Sequence, residues 1–150
     1  MISRPVFFLS AKTQHQNLGD GIITRELIHL LEEFGDVHLN EAGMPAGFLN
    51  LVCGQRTIRY SGGKAFIFAL VSSYLGVRRN GNDRHLYYVL NPGGFSGSVR
   101  ILDLPRHLLL IGAYALFQWF GIRTVRLGQS VGPFTDGRLL LERMKARFAY

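Results

Sequence analysis

The chain has 150 residues, a formal net charge of +7 at pH 7 and 47% hydrophobic residues. That length suits one ordinary domain hiding about 68–70% of its unfolded surface, and the apolar content with 18 glycines excludes a disordered chain in favour of a turn-rich globular fold. The cations are scattered and carry no nucleic-acid module signature, which argues against a dedicated nucleic-acid binder and for smaller anionic partners: phosphates, carboxylates or an anionic membrane face.

Residues 5–10 read as a first strand, apolar nearly throughout, as expected when both faces of a sheet are covered. A polar loop over 11–18 leads into a helix over 20–34, with Ile23, Leu27, Leu30, Leu31 and Phe34 on one face and Gly35 as its C-terminal cap. Residues 36–39 make a short second strand, and 40–47 a loop broken by Gly43, Pro45 and Gly47. Residues 48–53 read as a third strand and 55–63 as irregular. A helix over 64–75 ends at Gly76, a charged loop covers 78–84, and 86–90 form a strand. A glycine-rich loop follows over 91–97, then a helix over 105–120 with Pro105 in its first turn and Gly121 at its end. Residues 124–127 form a strand that runs into the tight loop Gly128-Gln-Ser-Val-Gly-Pro133, and a last, amphipathic helix begins at Asp136.

Strands alternating with helices imply right-handed βαβ units and a mainly parallel sheet. Two apolar runs, 65–77 and 108–120, hold no charge. Both fall short of the roughly 20 residues that span a bilayer, and both read as buried core helices. The single cysteine, Cys53, lies in an apolar run and reads as a buried thiol in a reducing cytoplasm.

Several motifs compete. Gly128-Gln-Ser-Val-Gly132 matches the nucleophile elbow of serine hydrolases, yet no histidine follows Ser130 to complete a triad. Gly19-Asp-Gly21 is a poor dinucleotide fingerprint: Thr24 stands at the third glycine position and Asp20 sets a negative charge where pyrophosphate would lie. Ser61-Gly-Gly-Lys64 fails as a phosphate loop because Ala65 replaces the magnesium-binding hydroxyl residue. The five histidines show no metal-ligand spacing. Asn17 and Asp20 have two readings: a helix cap and a first-turn acid, or a loop that holds a polar ligand over a helix N-terminus. The 91–97 stretch is either a turn or a backbone surface open to a sugar or carboxylate. In an open parallel sheet all three glycine-bearing stretches end at the carboxyl edge, where ligands bind.

Taken in order, Asn17-Leu-Gly19-Asp20, the pair Gly93-Gly94 with Phe95, and Gly128-Gln129-Ser130-Val-Gly132-Pro133 resemble the polysaccharide pyruvyl transferase family, in which Gly-Gln-x-x-Gly-Pro is typical. The resemblance extends over about residues 5–148. It implies an α/β, Rossmann-like parallel sheet flanked by helices, one half of a two-domain glycosyltransferase-B-like architecture. Residues 1–150 would form the N-terminal, acceptor-facing domain, with the donor-binding domain outside this chain. The implied activity is transfer of pyruvyl from phosphoenolpyruvate to a sugar hydroxyl of a cell-surface polysaccharide or its precursor, in exopolysaccharide biosynthesis of the cell envelope. The implied substrate-binding residues are Asn17, Gly19, Asp20, Gly93, Gly94, Phe95, Gln129, Ser130, Gly132 and Pro133. No metal, no cofactor and no catalytic residue of this chain is implied.

The partners implied are a sugar or polysaccharide acceptor, phosphoenolpyruvate once a second domain is supplied, a partner chain completing the cleft, and peripheral contact at the inner membrane face of the cytoplasm. Nucleic acid is not among them. Without its second half the chain is not expected to transfer pyruvate. The alternatives are a glycosyltransferase using a nucleotide sugar and a non-catalytic glycan-binding remnant.

Overall fold

The first strand sets the layering. In β1 (Val6–Ser10) neighbouring side chains point to opposite faces, and Val6, Phe7, Phe8 and Leu9 are all buried, so both faces must be covered. The computed structural model describes residues 4–12, 18–79, 85–90, 93–97, 104–127, 129–134 and 136–149. After β1 come α1 (Leu18–Phe34), β2 (Asp36–Asn40), α2 (Ala46–Val52), β3 (Ile58–Tyr60), α3 (Gly63–Arg79), β4 (Leu86–Leu90) and β5 (Gly93–Gly97). The order continues with α4 (Leu104–Trp119), β6 (Arg123–Arg126), β7 (Gln129–Phe134) and α5 (Asp136–Ala146).

Five strands form an all-parallel sheet in the order β3-β2-β1-β4-β6, the α/β arrangement expected of a Rossmann-like fold. Phe7 and Leu9 enter one core with Leu27, Ile28 and Leu31 of α1 and Phe48, Leu49 and Val52 of α2. Val6 and Phe8 enter the other, with Phe66 and Leu70 of α3 and Phe117 of α4 against it. The chain order reverses between β1 and β4, so the switch point and its crevice lie at the carboxyl ends of those two strands.

Several expectations need correcting. Residues 48–53 are not a strand but most of α2, because a short apolar run has no period that separates the two states. Pro45, extended at φ −64°, starts this helix, and the Cys53 N–H closes it on the Leu49 carbonyl at 2.9 Å. The stretch read as irregular contains β3, a three-residue edge strand paired with β2. Gly76 does not end α3, which runs on to Arg79.

On α1, Leu27 and Leu31 are buried as expected, but Ile23, Leu30 and Phe34 are exposed. The inward face instead uses Gly21, Thr24 and Ile28. Gly121 takes the left-handed φ of 76° that ends α4. Gly35 does not take a positive φ. It is glycine for a different reason: a Cβ there would overlap the Pro5 carbonyl oxygen and the Phe7 ring. Cys53 is half-buried rather than buried, and that burial pushes its thiol pKa up.

The two charge-free runs are not buried helices. Each of α3 and α4 buries one face, through Phe66 and Leu70 or through His107, Ile111 and Tyr114, and leaves the opposite apolar face exposed. Among the described residues no helix is long and apolar enough to cross a membrane.

Candidate functional site

The carboxyl edge of the sheet is built by the strand that each glycine-bearing stretch follows. β4 ends at Leu90 opposite Arg126 of β6. Three residues further along each chain, Gly93 pairs with Gln129, Gly94 with Ser130 and Phe95 with Val131, again in parallel. The pairing of β4 with β6 therefore carries over, in unchanged register, into a two-stranded parallel extension made of β5 and β7 beyond the edge.

Both stretches were expected as loops, and both are strands. The local sequence, rich in Gly and holding Pro133, argues against a strand. The ladder behind it overrides that preference. The register shifts between Phe95 and Gly97, where one residue of β5, Ser96, faces two of β7. That extra residue falls at Gly132-Pro133. Proline cannot donate to a ladder, and glycine tolerates the bulge that results.

A two-stranded ladder uses one edge of each strand. Its outer edges leave backbone N–H and C=O groups that can bond sugar hydroxyls or a carboxylate. Gly93, Gly94, Gly97 and Gly132 carry no side chain to block that approach. The pairing brings together Gly93, Gly94 and Phe95 on one strand with Gln129 and Ser130 on the other. Gly132 and Pro133 lie further along β7, at the bulge.

Gly19 and Asp20 lie in the first turn of α1, which starts from the carboxyl side of β1 beside the switch point. There the helix dipole favours the Asp20 carboxylate. The Thr24 hydroxyl donates to the Asp20 carbonyl at 2.7 Å and holds that turn. Gly21 has a packing role: a Cβ would meet Leu51 and Phe48 of α2 at 3.2 and 3.3 Å. Asn17 and Gly128 lie outside the described residues.

Geometry also removes the nucleophile elbow. An elbow serine occupies a strained turn between strand and helix. Ser130 is the second residue of the six-residue strand β7, and no non-glycine residue among those described has a positive φ.

Sequence reasoning missed what anchors this edge. The basic residues of α5 were taken as scattered surface charge. Instead Arg126, the last residue of β6, donates to the Glu142 carboxylate at 3.1 Å. Lys145 Nζ lies 2.7 Å from the same carboxylate, and Arg138 3.2 Å. Three cations thus surround one acid, all largely buried.

Burial by itself would raise the Glu142 pKa, but the Lys145 ammonium and the Arg126 guanidinium outweigh it and hold the carboxyl below its ordinary value. Burial lowers the pKa of Lys145. Nearby, burial pushes the Tyr114 phenol up to about 12, so it stays neutral. The cluster clamps the end of β6 to α5. The signal that could have found it is a lone glutamate among arginines on a helix following the motif.

A cavity of about 580 Å3 lies elsewhere, between the second half of α1 and the turn before β3, lined among others by Arg25, His29, Asn50 and Arg56. No motif residue lines it, and it belongs to the amino edge of the sheet. Two acids line it, Glu32 and Glu33, and Glu32 is already engaged by the Thr57 hydroxyl at 2.5 Å and the Arg56 N–H at 3.1 Å, as a brace for that turn. The carboxyl edge is the better candidate.

Among the described residues no group of His, Cys, Asp and Glu is arranged to hold a metal ion. Comparison of the chain with protein-family models, with curated proteins and with solved structures gives no match in any of the three.

Proposed function

We propose that the β5–β7 extension, with the first turn of α1, binds the sugar acceptor of a pyruvyl transfer reaction, and that this chain is the acceptor-facing half of a two-domain, glycosyltransferase-B-like enzyme. The observation that carries the reading is the pairing of Gly93 and Gly94 with Gln129 and Ser130 beyond the carboxyl edge. Residues picked out as separate motifs in the sequence meet in one place, and that place is where open parallel sheets bind ligands.

The reaction protonates the enolpyruvate carbon, adds two sugar hydroxyls to the adjacent carbon and expels phosphate, leaving a ketal. It needs a proton donor and cationic groups for the carboxylate and phosphate. In this reading those groups come from the second half of the enzyme, and the present residues orient the hydroxyls through backbone groups and Asp20.

The test separates the site from the helix. As a first-turn charge, Asp20 contributes about 0.3–1 kcal/mol to stability. As an acceptor ligand it does more, because hydrogen bonds to charged groups contribute roughly 1.5–3 kcal/mol. Asp20→Asn is expected to leave thermal melting nearly unchanged and to weaken binding of oligosaccharides with a free terminal diol, the group a ketal requires, severalfold by calorimetry. A lower melting temperature with unchanged affinity would assign Asp20 to the helix alone. Tight binding of a nucleotide sugar, with none of a glycan, would replace the reading by a nucleotide-sugar transferase.

A further inference from the structure

We propose that the outer face of α3 and α4 docks on an anionic lipid bilayer. The inference rests on that surface alone and is independent of which ligand the carboxyl edge takes. Both helices cover the same side of the sheet: Phe66, Leu70 and Tyr74 of α3 and Phe117 of α4 share one core. Their C-terminal ends abut, with the Tyr74 and Phe120 rings 5.3 Å apart and the Trp119 ring tilted against Phe120 at 5.3 Å.

The residues opposite that core are also apolar. On α3, Phe68, Val71 and Leu75 line up at helical spacing along the outside, and Phe68 is 74% exposed. On α4, Leu109 and Leu116 do the same, with Leu109 73% and the terminal Trp119 79% exposed. Helices apolar on every side are normally buried. Here a second partner is missing from the outer face, and apolar patches of this extent mark interaction surfaces.

Charge selects the occupant. Neither helix contains Asp or Glu. The charged residues are Lys64 at the start of α3, Arg78 and Arg79 at its end, and Arg106 on α4, all exposed. Arg78 donates to the Tyr74 hydroxyl at 2.7 Å, which holds one cation beside the Trp119–Phe120 end of the patch. On the opposite side of the sheet α1 carries Asp20, Glu26, Glu32 and Glu33. A second copy of the chain fits poorly, since a two-fold contact would set the cations of the two helices against one another, and neither helix carries a carboxylate to answer them. Anionic headgroups answer it directly, and a tryptophan among aliphatic side chains with basic neighbours is the composition of helices that lie in the membrane interface.

Trp119 is the only tryptophan in the chain and lies inside the patch, so it reports binding directly. The full chain is mixed with phosphatidylcholine vesicles that contain or lack phosphatidylglycerol, and tryptophan emission is followed with vesicle flotation. The proposal expects a blue shift, quenching by brominated acyl chains and co-flotation with the anionic vesicles, all weakened by added salt. Each exposed arginine should account for roughly fivefold in the partition coefficient. Arg78→Gln with Arg79→Gln should therefore lower it on the order of tenfold or more, and Phe68→Ser should lower it at unchanged salt dependence, with circular dichroism confirming the fold. No shift and no flotation with anionic vesicles would overturn the proposal. So would equal binding to both vesicle types, or emission already blue-shifted in buffer together with a concentration-dependent dimer mass, which would assign the face to a second copy.

Discussion

Replacing Glu142 with glutamine is expected to lower the unfolding free energy by about 3–5 kcal/mol, the usual cost of removing one member of a buried ionic cluster. Glutamine keeps the shape and removes the charge. Arg126, Arg138 and Lys145 would then repel one another in a site where Lys145 and Glu142 have little contact with water. The exposed pair Arg25–Glu26 is the control. Glu26→Gln should change stability by no more than about 0.5 kcal/mol, because water screens it.

The pH dependence follows from the same cluster. The folded-state pKa of Glu142 lies below its ordinary value of 4.5, so the unfolded state takes up the proton first as the pH falls. The stability it contributes is complete above that ordinary value and is lost as the pH drops through the depressed folded pKa. Urea titrations at pH 7 and across the acid range should show wild type losing more stability on acidification than Glu142→Gln. Parallel acid limbs in the two proteins would mean that the cluster does not hold α5 to β6.

Phe8→Ala is expected to cost about 3–5 kcal/mol through lost burial and the cavity it leaves. Phe8 is fully buried at the centre of the sheet. Its ring stacks on His38 at 4.6 Å and meets the edge of Phe66 at 5.6 Å. His38 in turn is bonded through Nδ1 to the Tyr60 hydroxyl at 2.7 Å, so one ring ties β1, β2, β3 and α3 together. Phe34→Ala is the control; that ring is exposed at the end of α1, and its loss should stay within about 0.5 kcal/mol. Against a typical total of about 5–15 kcal/mol, Phe8→Ala alone should still leave a folded protein with an unchanged denaturant slope. A loss below about 1 kcal/mol would contradict the packing described, since refilling so large a gap without strain is rare.

The layered fold was legible where the sequence repeats a local rule. Residues 5–10 and 86–90 are apolar on both sides and became the central strands, and Gly121 stopped its helix as a left-handed residue. What was not legible has nonlocal causes. Nothing in 93–97 or 129–134 favours a strand; the ladder of β4 with β6 imposes one. Arg126 and Glu142 are 16 positions apart, so their meeting depends on α5 folding back along β6.

The exposed faces of α3 and α4 were hidden for a different reason. An all-apolar helix has no period from which to tell its inner from its outer side. Within the candidate site, the residue types and their order were readable. The register that sets Gly93 against Gln129 was not, because register belongs to the sheet rather than to either segment.

The claim at the centre of this account is that the β5–β7 extension binds the acceptor. It is tested most directly by following backbone amide resonances of the 15N-labelled chain during titration with a panel of oligosaccharides carrying free terminal diols, and separately with phosphoenolpyruvate. The account predicts that the glycans shift the amides of Gly93, Gly94, Phe95, Gln129 and Ser130 together with those of Gly19 and Asp20, at one common affinity. Shifts confined to Arg25, His29, Gln55 and Arg56 around the amino-edge cavity, or no shifts with any glycan, would contradict it.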